Sequence, residues 1–169
     1  MSLAAIQTKS KAKPSIVIIY GPSGLGKTTL AVGSKNPIVL QTEEGLGILT
    51  NNRDIAHFPL AKDYDTFYEY LKSLVDAEEL EFNSLVVDSL DWLEPLIFAK
   101  TCETHKQASI ESFGYGRGYV EALKYWREIL DLINRLRNEK KMRIVLIAHN
   151  QIKAFHDPST EAYDRHELK

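Results

Sequence analysis

Hydrophobic positions along the chain follow two alternating patterns, and the first predicts strands. The run "IVIIY" at residues 16–20 is short and rich in β-branched residues, which is typical of a buried strand. Runs of the same kind lie at residues 37–41, 84–88 and 142–149. These four segments are therefore predicted to be central parallel strands, and "DIAHF" at 54–58 is a candidate for an additional short one.

The second pattern, apolar residues spaced three and four apart, predicts amphipathic helices between the strands. One helix follows a cap at Asp63 or Asp65 and carries Phe67, Leu71, Leu74 and Val75. A longer helix carries Val120, Leu123, Ile129, Leu130, Ile133 and Leu136. Trp92 and Trp126 lie in helical periods and are predicted to pack inward. Strands that alternate with helices predict an α/β fold with three layers, in which helices cover both faces of a mostly parallel sheet.

The two ends of the chain differ from this alternation. Residues 1–13 are predicted to be a flexible tail, and residues 14–169 a single domain. After the strand that ends at His149, residues 151–160 are predicted to form a loop through Asp157-Pro158, and residues 161–169 the start of a helix. A domain truncated before its last C-terminal strands is the expectation.

Composition narrows the class of protein further. The chain has 169 residues, one cysteine and a formal net charge of −2. It contains no apolar run of about 18 residues and no secretory signal, which predicts a soluble cytoplasmic protein without membrane contact. Because the net charge gives no general attraction to polyanions, any contact with nucleic acid must be local.

The segment "GPSGLGKTTL" at residues 21–30 predicts a phosphate-binding loop. Gly21, Gly26, Lys27 and Thr28 fit the Walker A pattern G-x-x-x-x-G-K-[ST], and the segment follows a strand and precedes a helix, as the pattern requires. Backbone N–H groups of such a loop face phosphate oxygens, together with the positive end of the helix. The predicted nucleotide-binding residues are Gly21, Pro22, Ser23, Gly24, Leu25, Gly26, Lys27, Thr28 and Thr29.

Two side chains are predicted to bind the Mg²⁺ ion that accompanies the nucleotide. Thr28 would supply a hydroxyl to Mg²⁺. Asp88 closes the strand "SLVVD" and fits the Walker B acid, which holds Mg²⁺ through water. The alternative is a strand-end aspartate that caps the next helix. Asp91 is interpreted as an acid of the first helical turn and not as a ligand.

Three further segments resemble one family. "VLQTEEG" at 39–45, "VVDSLDWLEP" at 86–95 and "IVLIAHNQIK" at 144–153 occur in the order found in the ATPase core of RecA-like recombinases. The chain is most similar to the small, AAA-type RecA-like ATPases of phages that assist single-strand annealing and recombination. The resemblance covers residues 14–169 and implies a RecA-like P-loop fold that uses ATP and Mg²⁺.

The resemblance also implies catalytic roles. Glu43 matches the glutamate that activates the attacking water, with Glu44 as the alternative in register. Lys27 would reach the β- and γ-phosphates. Gln151 matches the polar sensor of the γ-phosphate, and His149 and Asn150 are alternatives if the strand ends earlier.

Two loops that face single-stranded DNA are a further implication of the resemblance. The first corresponds to residues 105–118, where Tyr115 would stack on bases and Arg117 would meet a phosphate. The second corresponds to residues 152–162, with Lys153 and Phe155 as candidate contacts. For both loops, the alternative is an ordinary surface connection.

The sequence therefore predicts an ATP-hydrolysing protein that acts on single-stranded DNA. Its expected partners are single-stranded DNA, copies of itself in an oligomer or filament, and a single-stranded DNA-binding protein. A small-molecule or nucleotide kinase on the same scaffold is the first alternative. The second is a nucleotide-gated binding module with negligible turnover.

Overall fold

The protein is described by a computed structural model that covers residues 12–47, 54–155 and 163–168. Its strands are β1 (Ile16–Gly21), β2 (Pro37–Gln41), β3 (Ala56–His57), β4 (Ser84–Asp88), β5 (Arg143–Phe155) and β6 (Tyr163–Leu168). Its helices are α1 (Lys27–Ala31), α2 (Tyr64–Asp76), α3 (Leu90–His105) and α4 (Arg117–Asn138), with a 3₁₀ helix at Ile110–Phe113. Residues 1–11 of the predicted tail lie outside these ranges, so the boundary at residue 13 stays a prediction.

Within these ranges, five parallel strands form the main sheet in the order β1–β5–β4–β2–β3. The predicted short strand at residues 54–58 is confirmed as β3. The register pairs Gly21 of β1 with His149 of β5, and Gln41 of β2 with Asp88 of β4. Because parallel strands end at the same edge, these four positions share the carboxyl edge of the sheet.

Helices cover both faces of the sheet, which confirms the three-layer prediction. Alternate residues of a strand face opposite sides, so each strand contributes to two cores. One core contains Ile38, Leu85 and Ile144 and is packed under α2, α3 and α4. The other contains Val39, Val86 and Val145, together with Ala31 of α1.

The start of α2 follows the sequence closely. Asp63 is the N-cap, and its carboxylate accepts a hydrogen bond from the backbone N–H of Thr66 at 2.7 Å. The predicted stripe of Phe67, Leu71, Leu74 and Val75 is buried. No helix in the described part of the chain is both long enough and apolar enough to cross a membrane.

The predicted apolar face of α4 is partly wrong. Val120, Leu123 and Leu130 are exposed. The residues buried in the core are Gly118, Ala122, Tyr125, Ile129, Leu132, Ile133 and Leu136. The true stripe includes a glycine, an alanine and a tyrosine, whereas the prediction counted only large aliphatic residues. Trp92 on α3 is also exposed, at 52%, so its predicted packing role is wrong.

Among the described strands, β1 lies at an edge of the main sheet, which corrects the prediction that all four apolar runs form central strands. Ile16, Val17, Ile18 and Tyr20 are between 39% and 54% exposed. In the described residues β1 pairs only with β5, and its side chains are more exposed than those of β4, which are all buried. An apolar run identifies a strand, but it does not reveal the position of that strand in the sheet.

The secondary structure predicted for the C-terminal residues is wrong as well, whereas the truncation before further strands stays a prediction. β5 continues through Asn150 to Phe155, where a loop was expected, and pairs antiparallel with β6, where a helix was expected. Pairing between the two segments satisfies backbone groups that a loop or an isolated helix start would leave to water. Residues 156–162 of the predicted second DNA loop lie outside the described residues.

Candidate nucleotide site

The loop between β1 and α1 has the backbone conformation that a phosphate-binding loop needs. Gly24 has φ = 78° and Gly26 has φ = 86°, both in the left-handed region that side chains disfavour. Gly26 is the N-cap of α1, so the helix begins at Lys27 with its first N–H groups directed at the loop.

Lys27 is held beneath this loop. Its Nζ donates hydrogen bonds to the carbonyl oxygens of Gly21 and Pro22, both at 2.9 Å, and the residue is only 7% exposed. The ammonium group therefore supplies a fixed positive charge at the loop, and the two carbonyls orient it.

Thr28 and Asp88 meet across the site. The Thr28 hydroxyl donates to Oδ2 of Asp88 at 2.8 Å, and Asp88 closes β4 as predicted. Burial raises the pKa of the Asp88 carboxyl, the Thr28 hydrogen bond opposes that effect, and nearby Glu43 adds to it. Ser89, and not Asp88, occupies the N-cap position of the helix after β4, so the capping alternative is wrong.

These two oxygen donors fit Mg²⁺, which prefers hard oxygen ligands and is usually held by one or two carboxylates together with substrate phosphates. The described residues contain no group of three or more His, Cys, Asp or Glu side chains suited to hold a metal alone. A shared site between protein and phosphate is therefore the arrangement that these residues suit.

A threonine fixes Glu43 relative to Asp88. The N–H of Thr42 donates to the Asp88 carbonyl at 2.7 Å, and its hydroxyl donates to the Ser89 carbonyl at 2.7 Å. The N–H of Ser89 donates in return to the Thr42 hydroxyl oxygen at 2.9 Å. Because Glu43 directly follows Thr42, these three hydrogen bonds set its position beside Asp88.

The loop, the acids and His149 line one open cavity of about 330 Å³. Its lining residues are Ser23, Gly24, Gly26, Lys27, Thr28, Thr29, Glu43, Glu44, Gly45, Asp88 and His149. Glu43 is half-buried and its Oε1 lies 3.9 Å from Nδ1 of His149, whereas Glu44 is exposed. The cavity holds both carboxylates of the register alternative, so the choice of Glu43 stays a prediction.

Four of the residues predicted for the nucleotide site do not line the cavity: Gly21, Pro22, Leu25 and Gln151. Gly21 and Pro22 contribute the carbonyls that bind Lys27, and the Leu25 side chain is 68% exposed. Gln151 is not among the lining residues, because β5 continues past the edge and its position lies two residues beyond His149. Its sensor role stays a prediction.

Asp91 has a role that the sequence interpretation missed. It lies in the first turn of α3, as predicted, but its carboxylate also binds His149 of β5. Oδ1 accepts the backbone N–H of His149 at 2.9 Å, and Oδ2 lies 2.8 Å from Nδ1 of the ring. Two sequence signals could have indicated this contact. Asp91 lies three residues after the strand-end Asp88, and His149 ends the apolar run at 142–149.

The candidate DNA residues lie outside the cavity. Tyr115 and Arg117 are exposed at the start of α4, where the segment predicted as a mobile loop includes the 3₁₀ helix. Lys153 and Phe155 lie on β5, opposite Arg165 and Tyr163 of β6, and not on a loop. Their contacts with DNA stay a prediction.

Comparisons with known proteins agree with this architecture. A family model described as an AAA domain, AAA_24, matches residues 13–169. Among solved structures, the chain is similar to the RadB recombinase, with a TM-score of 0.53 and 18% sequence identity over 89% of this chain and 68% of that one. The similarity confirms the predicted RecA-like α/β fold. No curated protein matches the chain.

Proposed function

Because the chain belongs to the AAA_24 family of AAA domains, we propose that it binds ATP with Mg²⁺, hydrolyses it, and couples turnover to single-stranded DNA in recombination or annealing. The biological setting proposed is the cytoplasm of a phage-infected cell. The observation that carries the proposal is the cavity in which the loop, Lys27, the Thr28–Asp88 pair and Glu43 meet.

Each of these groups has a chemical task in hydrolysis. Backbone N–H groups and Lys27 neutralise charge on the phosphates. Thr28 and Asp88 would hold Mg²⁺, which neutralises the charge that develops on the phosphate oxygens. Glu43 orients a water molecule and takes its proton as the water oxygen bonds to the terminal phosphorus and ADP leaves.

Replacing Glu43 with glutamine tests the hydrolytic part. The variant should keep its affinity for ATP while the hydrolysis rate falls by about 10²- to 10⁴-fold, because the amide cannot accept the proton. Steady-state phosphate release and binding of a fluorescent ATP analogue give the two quantities.

The matched control is Glu44→Gln, which removes the same charge from the same cavity. If Glu44→Gln lowers the rate and Glu43→Gln does not, the register alternative is correct. Phosphoryl transfer to an added nucleoside or sugar, in place of phosphate release to water, would favour a kinase.

The sheet topology supports the DNA-facing part of the proposal. β5 starts at the amino edge of the sheet, so α4, which precedes it, starts toward the carboxyl edge. Tyr115 and Arg117 are at that start, and Lys153 and Phe155 follow His149 along β5. All four candidates thus lie on the side of the molecule where the nucleotide would bind.

Salt dependence of single-stranded DNA binding tests this part. If three or four phosphates are contacted, log affinity should fall with log salt concentration at a slope of roughly −2 to −3. Replacing Arg117 or Lys153 with alanine should reduce the steepness of the slope by about 0.7 per substitution. Each variant would neutralise one phosphate fewer, so DNA binding would release fewer counterions. Fluorescence anisotropy of a labelled oligonucleotide gives the slopes.

Lys35→Ala is the control, because Lys35 is an exposed cation just before β2, at the amino edge of the sheet. It should leave the slope unchanged. An absence of DNA binding by the wild-type chain at low salt would refute the recombination proposal while leaving ATP hydrolysis to stand. Sizing with ATP, DNA and a single-stranded DNA-binding protein tests the proposed filament and partner.

A further inference from the structure

Asp91 and His149 form a part-buried contact that joins two elements of the site. Asp91 belongs to α3, which follows the Walker B strand, and His149 belongs to β5. The Asp91 side chain is 5% exposed, and both of its oxygens are engaged by one residue. Since one oxygen binds the backbone of His149 and the other its ring, the contact fixes both the strand end and the imidazole.

The contact also determines which ring nitrogen carries a proton. Burial alone would raise the pKa of the Asp91 carboxyl, but the hydrogen bonds from the backbone and the ring of His149 outweigh it and lower the pKa. An ionised carboxylate only accepts hydrogen bonds, so Nδ1 of His149 must be the donor. In the neutral ring, Nε2 is then an acceptor.

His149 is a lining residue of the cavity, and Oε1 of Glu43 lies 3.9 Å from Nδ1 of its ring, on the side that faces Asp91. A water molecule has two protons. If Glu43 accepts one and Nε2 accepts the other, the water oxygen keeps its lone pairs for the phosphorus. Two acceptors fix a water molecule better than one.

On this basis, and resting on the proposed ATP hydrolysis, we propose that His149 helps Glu43 to orient the attacking water, and that Asp91 is a positioning residue that holds His149 in the required orientation and tautomer. Lys27, Thr28 and Asp88 bind the nucleotide independently of this pair. Loss of the pair therefore lowers kcat and leaves nucleotide affinity unchanged.

Asp91→Asn is the sharpest substitution, because asparagine keeps the size of the side chain and one acceptor oxygen. Its amide group would donate to Nδ1 and shift the ring proton to Nε2, which can then no longer accept from water. We expect kcat to fall by roughly 10- to 100-fold, the cost of a misplaced catalytic group, with Kd for ATP within about twofold of wild type.

A double-mutant cycle separates positioning from a purely structural role. His149→Ala should lower kcat by a similar factor, and adding Asp91→Asn to it should cause no further loss, because Asp91 acts through the ring. Glu94→Gln, an exposed acid one turn farther along α3, is the matched control and should leave kcat unchanged. Additive losses in the double variant would overturn the positioning role.

A second measurement does not depend on activity. Nitrogen-15 NMR of the wild-type imidazole, assigned by comparison with His149→Gln among the five histidines, should show the neutral ring protonated at Nδ1. Protonation at Nε2 would overturn the proposal even if the Asp91 variant fails to fold. A wild-type protein that binds ATP but does not hydrolyse it would refute the proposed function, and the NMR result would still be decisive for the Asp91–His149 contact.

Discussion

At the scale of single residues, Asp88 shows a conflict between stability and function. It is only 6% exposed, and burial raises the pKa of its carboxyl above the ordinary value of 3.8. An acid whose pKa is raised by folding holds its proton more tightly in the folded state. Ionisation of Asp88 therefore lowers the stability of the folded protein as pH rises above 3.8, while the proposed binding of Mg²⁺ requires the ionised form.

Asp88→Asn should accordingly stabilise the nucleotide-free protein at neutral pH, because the amide carries no charge and its oxygen can still accept from Thr28. The gain in Tm should vanish below pH 3.8, where the wild-type carboxyl is protonated in both states. Thermal unfolding in a chelating buffer from pH 3 to 8 measures it.

The exposed Asp54 provides the control, since Asp54→Asn should leave Tm unchanged across that range. A lower Tm for Asp88→Asn at pH 7 would contradict the prediction. It would mean that the ionised Asp88 is stabilised by its neighbours more than it is destabilised by burial.

At the scale of elements, the sequence predicts the strands and the position of the glycine-rich loop well, but it predicts exposure poorly. The strand core from β2 to β5 and the loop at residues 21–30 follow from local patterns, because β-branched runs and glycine spacing act through the backbone nearby. The edge position of β1 and the pairing of β5 with β6 depend on distant segments. Asp91 was missed for the same reason, since its partner lies 58 positions along the chain.

The corrected face of α4 is testable with two identical substitutions on one helix. Leu136 is fully buried and Leu130 is 46% exposed. Leu136→Ala should lower the free energy of unfolding by about 2–5 kcal/mol, because it leaves a cavity in the core. Leu130→Ala should change it by less than about 1 kcal/mol.

Urea unfolding followed by circular dichroism gives both values. Equal losses for the two variants would mean that Leu130 is covered in solution, and the exposed face of α4 would then have to be an interface.

At the scale of the whole molecule, the strand order gathers the chemistry at one edge. The loop after β1, Glu43 after β2, Asp88 of β4 and His149 of β5 meet there, although they are far apart in sequence. A ligand that contacts all of them links four strands of the sheet. Binding should therefore stabilise the entire fold and not the loop alone.

Addition of MgATP at about 100 times Kd should stabilise the protein by about 2.7 kcal/mol, which corresponds to a rise in Tm of roughly 5–10 °C. Differential scanning fluorimetry measures the shift. Lys27→Ala should abolish most of it, whereas Lys35→Ala should not. A shift of equal size in the Lys27 variant would mean that ATP binds elsewhere.

The length of β5 has a mechanical consequence. A strand rises about 3.3 Å per residue, so Lys153 stands roughly 13 Å beyond His149 on the same stiff ribbon, braced by β6. If ATP binding displaces His149, we expect the paired strands β5 and β6 to tilt as one rigid unit. Lys153 would then change its position because the angle of these strands changes, and no loop would have to fold.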